Sequence, residues 1–312
     1  MERPQRPGRR SWQRILAPYL RNWDLYMLLI PSIVLYITFN YAPMYGVQIA
    51  FRNYSSKLGI VGSKWVGLKH FERFFRSYYA SRLIFNTLGI GVYSLLAGFP
   101  IPIILAIMMN ELRSLRYKKF IQTVTYIPHF LSTVVLVSLI NAFMNPKTGL
   151  LNMFLIRLGQ PSIYFMVEPQ YFKSIYVWSG IWQNMGWDSI IYVAALAGID
   201  PTFYEAGRVD GASRWQMLTH ITIPCILPTA TIMLILRCGH VMGVGFEKIF
   251  LMQNDLNMAT SDVISTYVYR SGLLNAEYSF SAAVGLFNSV VNCVLLVVVN
   301  WITGRLGGTQ IF

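Results

Sequence analysis

An all-α membrane protein with six transmembrane helices, carrying a polar loop between the fourth and fifth, is what the sequence predicts. Three observations carry that prediction. The chain is 54% hydrophobic and only 12% charged, with a mean hydropathy of +0.45, whereas soluble domains carry roughly 25% charged residues. Six apolar runs of about 20 residues, each enough to cross a ~30 Å hydrocarbon core, fall at 25–44, 83–109, 120–144, 173–197, 225–244 and 279–303. A turn-interrupted polar stretch at 200–224 separates the fourth run from the fifth.

The elements follow in order. Residues 1–23 form a basic tail with Arg3, Arg6, Arg9, Arg10, Arg14 and Arg21. Within it Trp12, Ile15, Leu16, Tyr19 and Leu20 recur at helical spacing, which suits a helix lying among lipid headgroups. No Ala-x-Ala site follows the first run, so that run is expected to remain as an anchor. The short connection to the third run holds Arg113, Arg116, Lys118 and Lys119. By the excess of Lys and Arg on the cytoplasmic side, it and the tail read as cytoplasmic. The longer loop after the first run is also basic, with Arg52, Lys57, Lys64, Lys69, Arg73, Arg76 and Arg82. Greater weight goes to the groups nearest the span ends. Six spans place both termini and the 200–224 loop on one face, the cytoplasmic one. The transmembrane unit then covers 24–304, and 305–312 form a second cytoplasmic tail.

Asp200 before Pro201 is a helix start, an acceptor side chain followed by a residue with no N–H to leave unsatisfied. A short helix over 201–209 should break at Asp210-Gly211, since glycine tolerates positive φ. Ser213 can cap a second helix running toward Pro224. Glu205 and Arg208 then share one exposed face.

This arrangement resembles the coupling loop of the inner-membrane permease subunits of binding-protein-dependent ABC importers. Their signature is Glu-Ala-Ala, three residues, Gly, nine residues, Ile, one residue, Leu-Pro. Glu205, Ala206, Gly211, Ile221 and Pro224 match at that spacing. Gly207 replaces the third residue and Ile223 the leucine, and Arg208, Asp210 and Ala212 complete the docking stretch. Segments 41–51, 65–68, 261–270 and 283–290 look like the polysaccharide-type branch of sugar permeases, so the likeness runs from about Asp24 to Thr309. It implies a bacterial inner-membrane transport subunit whose cargo is an oligosaccharide. It also implies a second related permease subunit, two ATPase subunits that bind ATP and Mg, and an extracytoplasmic solute-binding protein.

The chain has no Gly-x-x-x-x-Gly-Lys-Ser/Thr phosphate loop, so any ATP-driven motor must sit in another polypeptide. It also has no His-Glu-x-x-His and no Gly-x-Ser-x-Gly. Cys225, Cys238 and Cys293 fall in apolar runs and read as packing residues. His70, His129, His220 and His240 lack metal-ligand spacing. The net charge of +13 is dispersed over loops on both faces, which fits anionic lipid and not nucleic acid. Two other readings stay open: an importer of amino acids, phosphate or metal complexes, and a channel or membrane enzyme needing no ATPase.

Polar side chains inside spans are costly unless they face a cavity or a partner, so they mark the expected substrate pathway. On the fourth run Gly180, Asn184, Trp187 and Asp188 share one helical face. His129 and Ser132 come from the third run, Arg237, His240 and Val241 from the fifth, Asn288 and Asn292 from the sixth. Asn supplies paired donor and acceptor for hydroxyls, and Trp a flat face for a sugar ring. For several of these a structural role stands beside the functional one. Asn288 and Asn292 either touch ligand or bond neighbouring helices. Asp188 and Arg237 either neutralise each other or meet the cargo. An unpaired Arg237 would favour an acidic sugar, because guanidinium binds carboxylate through two hydrogen bonds. Glu247 is a minor candidate for a gate.

Overall fold

A computed structural model describes residues 21–305. The first helix, α1, runs Trp23–Phe51 and contains Pro31 and Pro43. Proline removes an intrahelical donor and crowds the preceding turn. The helix absorbs this at Pro43 by widening to a π-turn over Ile37–Tyr41, and it tightens into a 3-10 turn at Tyr45–Phe51. Residues Trp23 to Tyr45 are all exposed, and the last turns of α1 pack against the final helix. An antiparallel hairpin follows, β1 Arg52–Ser55 against β2 Ser63–Trp65. It is a departure from the all-helical expectation. Phe51 stacks on Trp65 at 5.5 Å, and the Arg52 guanidinium donates to the Val61 and Ser63 carbonyls.

Helix α2 is Lys69–Phe75 and α3 is Tyr78–Asn110, opened by Ser77, whose hydroxyl accepts from the Tyr79 amide. Helices α4, Leu115–Phe130, and α5, Thr133–Phe143, meet at a bend of 102°. The sequence predicts one span there, over 120–144. The break sits where Pro128 removes a donor and Ser132 turns its hydroxyl to the Val135 amide, starting a new helix. Then come α6, Leu150–Arg157, α7, Pro169–Ala197, α8, Pro201–Val209, and α9, Arg214–Cys238. The chain finishes with α10, Phe246–Met252, α11, Met258–Ser261, α12, Ile264–Tyr269, and α13, Tyr278–Arg305.

Among the described residues four helices, α1, α3, α9 and α13, are long and apolar enough to cross a membrane, or five if the bent α4–α5 pair is one span. Helix α7 has the length, 29 residues, but Gln183, Asn184 and Asp188 interrupt its apolar run. The fifth predicted run is displaced. Its helix starts at Arg214 instead of 225, passes through Pro224 on a π-turn at Leu218–Thr222, and stops at Cys238. His240 and Val241 therefore lie in the turn beyond the helix, not within it. The amphipathic stretch foreseen in the tail, Trp12 to Leu20, lies outside the described residues.

Three apolar clusters hold the bundle, and α7 belongs to two of them. Near its start Phe172 and Ile175 pack with Ile90, Leu136, Ile140, Ile249 and Met252. Near its end Tyr192 and Leu196 pack with Ala106, Ile226 and Ala230. The third joins Phe74, Leu83, Met242, Ile264, Phe280 and Val284 around α13. The polar centre of α7 is thus held between two dry clusters. Close approach is secured by glycine. A Cβ on Gly91 would overlap the Val241 carbonyl, and one on Gly186 would overlap the Thr125 carbonyl.

Candidate functional site

A cavity of about 480 Å³ opens between α3, α7, the end of α9 and the turn leading to α10. Of the predicted pathway residues Gly180, Asn184, Asp188, Arg237, His240 and Val241 line it. The spacing of four and eight residues on α7 places Gly180, Asn184 and Asp188 on one wall. Opposite, Arg237 donates Nη2–H to the Asp188 carboxylate and Nη1–H to the Gly98 carbonyl at 3.2 Å. Arg237 is therefore paired with Asp188, and the condition set for it to select an acidic sugar, an unpaired guanidinium, is not met.

His129 and Trp187 stand beside Asn184. The imidazole and indole are stacked at 4.4 Å with planes 4° apart. The Asn184 amide nitrogen donates to the Gly180 carbonyl at 3.0 Å, so its oxygen accepts from His129 Nδ1 at 2.9 Å. That network assigns the imidazole proton to Nδ1. Ser132 is spent on its helix cap. Asn288 and Asn292 are engaged structurally: the first donates to the Met242 carbonyl at 3.3 Å and the second accepts from the Met242 amide at 2.9 Å, tying α13 to the turn after α9. They fix the turn after α9 and do not line the cavity. Glu247 accepts from the Thr133 hydroxyl at 2.9 Å, tying α10 to α5.

Sequence reasoning passed over Lys248, the neighbour of Glu247. It lines the cavity at 9% exposure. Its Nζ donates to the Tyr176 carbonyl at 2.9 Å and lies 4.8 Å from the Tyr176 ring centre. Burial pushes its pKa down to about 8. The sequence signal was available: a Glu247-Lys248 pair set into an apolar stretch, just after the Gly243-Val244-Gly245 turn. Tyr176 was missed too, although its hydroxyl accepts the Gly245 amide at 3.0 Å.

The second place is the 200–224 loop. Asp200 accepts the Thr202 amide at 2.9 Å, and that bond holds its carboxyl below the usual range. Helix α8 ends with Gly211 at φ 74°, where the Ala212 amide donates to the Gly207 carbonyl at 2.8 Å. Ser213 and Gln216 form a reciprocal cap, each side chain accepting the other's backbone N–H at 3.3 and 2.7 Å. Gly207 does more than loosen α8. A Cβ there would press on Ile221 Cδ1 at 3.3 Å, so the missing methyl lets α8 lie against the start of α9. Glu205, Ala206, Arg208, Asp210 and Pro224 are exposed, and Ala212 and Ile221 half-buried. Exposed apolar rings, Phe203 and Trp215, lie on the same hairpin. Glu205, Arg208 and Arg214 border a notch of about 610 Å³ shared with Glu111 and Arg113 of the α3–α4 connection.

Residues 98–308 match the family described as binding-protein-dependent transport system inner membrane component. The polygalacturonan/rhamnogalacturonan transport system permease protein YteP of Bacillus subtilis (strain 168) is 38% identical over 300 residues, 96% of this chain and 94% of that one. Protein LplB of the same organism is 41% identical over 302 residues, 97% and 94% of the two chains. A crystal structure of a bacterial ABC transporter involved in import of the acidic polysaccharide alginate contains a chain that is 43% identical. It aligns at a TM-score of 0.86 over 94% of this chain and 99% of that one. A second, of an alginate ABC transporter in complex with an alginate pentasaccharide-bound periplasmic protein, gives 0.87 at 43% identity, over 96% and 100%.

Proposed function

Because the chain belongs to the family of binding-protein-dependent transport system inner membrane components, we propose that it is the permease subunit of an ABC importer that carries oligosaccharide or polysaccharide fragments into a bacterial cell. The observation that carries this reading is a mechanical continuity. Helix α9 begins in the hairpin just after its Ser213 cap and stops at Cys238, one residue past Arg237 in the cavity wall. Helix α7 forms the opposite wall and ends three residues before α8. At 1.5 Å per residue, α9 is a lever of about 37 Å. A partner that moves the hairpin therefore moves both cavity walls.

In this reading α1, α3, the bent α4–α5 pair, α7, α9 and α13 are six spans, with the hairpin and both termini cytoplasmic. The polar centre of α7 is tolerated in the bilayer because it faces the cavity. Glu205, Arg208 and the exposed rings dock into one of two ATPase subunits, which bind ATP and Mg. The uncovered length of α1 lies against lipid or against a second, related permease subunit. An extracytoplasmic solute-binding protein delivers the cargo above α10 to α12. ATP binding and hydrolysis in the partners bias two states that differ in the contacts of α7 and α9.

The test is reconstitution of the complete importer in vesicles with ATP on the hairpin side. Oligosaccharide uptake is expected, and Glu205→Lys or Gly211→Asp should abolish it together with retention of the ATPase subunit on purification. Unimpaired uptake after deletion of residues 201–217 would overturn the reading.

A further inference from the structure

We propose that Lys248 is the residue through which this permease selects a cargo bearing carboxylates, a proposal that rests on the importer reading above. A lysine is rarely buried without a paired charge, and Lys248 is 91% buried by its 9% exposure. Its ammonium has three donors, and among the described residues one acceptor takes one of them, the Tyr176 carbonyl at 2.9 Å. The Tyr176 ring supplies a weak cation–π contact, which does not neutralise the charge. Space is reserved for the group. A Cβ on Gly180 would stand 3.3 Å from Nζ, so the glycine leaves room for the ammonium over the wall of α7.

The charged neighbours do not cancel it. On α7, Tyr176 is a hydrogen-bonded phenol, the Lys173 Nζ lies beside Gly89 of α3, and Asp188 is held by Arg237. His240 lies in the turn after α9. On α10 itself Glu247 bonds Thr133 of α5. From α12, Tyr269 meets α10 through the rings of Phe246 and Phe250. The cavity thus keeps one uncompensated cation in a place of low dielectric, where a carboxylate is bound far more strongly than in water.

Burial alone sets the Lys248 pKa near 8, and an entering carboxylate raises it. Acidic cargo should therefore be favoured below about pH 8 and lose that advantage as the pH rises further. Uptake by the complete importer in vesicles, of a galacturonate trisaccharide and of its carboxyl-reduced neutral counterpart, tests this. In the wild type the acidic-to-neutral uptake ratio should fall between pH 7 and 9.5. Lys248→Arg, charged throughout, should hold the ratio constant. Lys248→Gln should lower it about tenfold at pH 7. An unchanged ratio in Lys248→Gln would overturn the proposal, and so would a wild-type ratio that stays flat with pH, a measurement that needs no variant to fold. Uptake of neither sugar by the wild type would instead remove the importer reading, and the proposal with it.

Discussion

The imidazole of His129 lies flat on the indole of Trp187, ring centres 4.4 Å apart, and its Nδ1 is bound to Asn184. This pins the break between α4 and α5 to the polar centre of α7. Asn184→Leu removes the acceptor and leaves a half-buried N–H unsatisfied, at about 1–2 kcal/mol. A lower melting temperature for the purified protein is the expected result. Trp187→Phe, which keeps a ring but less stacking area, should fall between the two.

Glycine at two close backbone approaches is the next prediction. Gly91→Ala and Gly186→Ala each drive a Cβ into a backbone carbonyl, of Val241 and Thr125 respectively. Backbone cannot rotate away as a side chain can, so each should cost about 1–3 kcal/mol. Gly285→Ala in α13 is the control, because nothing lies within 4 Å of its Cβ. There helix propensity should raise stability by about 0.5–1 kcal/mol. Equal melting temperatures for all three variants would show that these two approaches are not close-packed.

Apolar runs located the long helices, and capping chemistry located the hairpin at Asp200 and Ser213, because those signals are local. The bend at Leu131 was not legible: Pro128 and Ser132 make it, but the apolar run continues across both. The shift of α9 was illegible, since Pro224 reads as a terminus in one dimension and is absorbed in three by a π-turn. The cavity residues on α7 could be foreseen from one helical face. Which of them were already engaged could not, because Arg237 meets Asp188 and Asn292 meets Met242 across 49 and 50 positions of chain.

Asp262 is a third place to probe. It is 1% exposed and receives Arg270 at 2.7 Å and Arg82 at 3.3 Å, joining the α11–α12 segment to α3. Asp262→Ala leaves two guanidinium groups facing a buried gap, at about 3 kcal/mol. Melting temperature should drop, and protease should cut first within 253–275. A variant as stable as the wild type would make this cluster dispensable.

Gly211 tests the hairpin's geometry apart from its charge. At φ 74° an L-residue is strained by about 1 kcal/mol, which a protein of this size tolerates. Gly211→Ala should therefore fold with a nearly unchanged melting temperature and yet re-aim α8 against α9. ATPase activity stimulated by loaded binding protein should fall more than stability does. If the two fall in proportion, the bend serves folding and not coupling.

The last prediction concerns Arg237. Were it a receptor for cargo, Arg237→Gln would lose acidic sugar and keep neutral sugar. The structure instead commits its guanidinium to Asp188 and the Gly98 carbonyl, joining the two helices that wall the cavity. Removing either partner leaves a charge in a half-buried site, so Arg237→Gln and Asp188→Asn should each destabilise by about 1–3 kcal/mol. The double variant has no orphan charge, and should recover about 1–2 kcal/mol relative to the sum of the singles. Uptake of acidic and neutral sugar should decline together in Arg237→Gln, because the fault is in the wall and not in recognition. Selective loss of the acidic sugar would move charge recognition from Lys248 to Arg237.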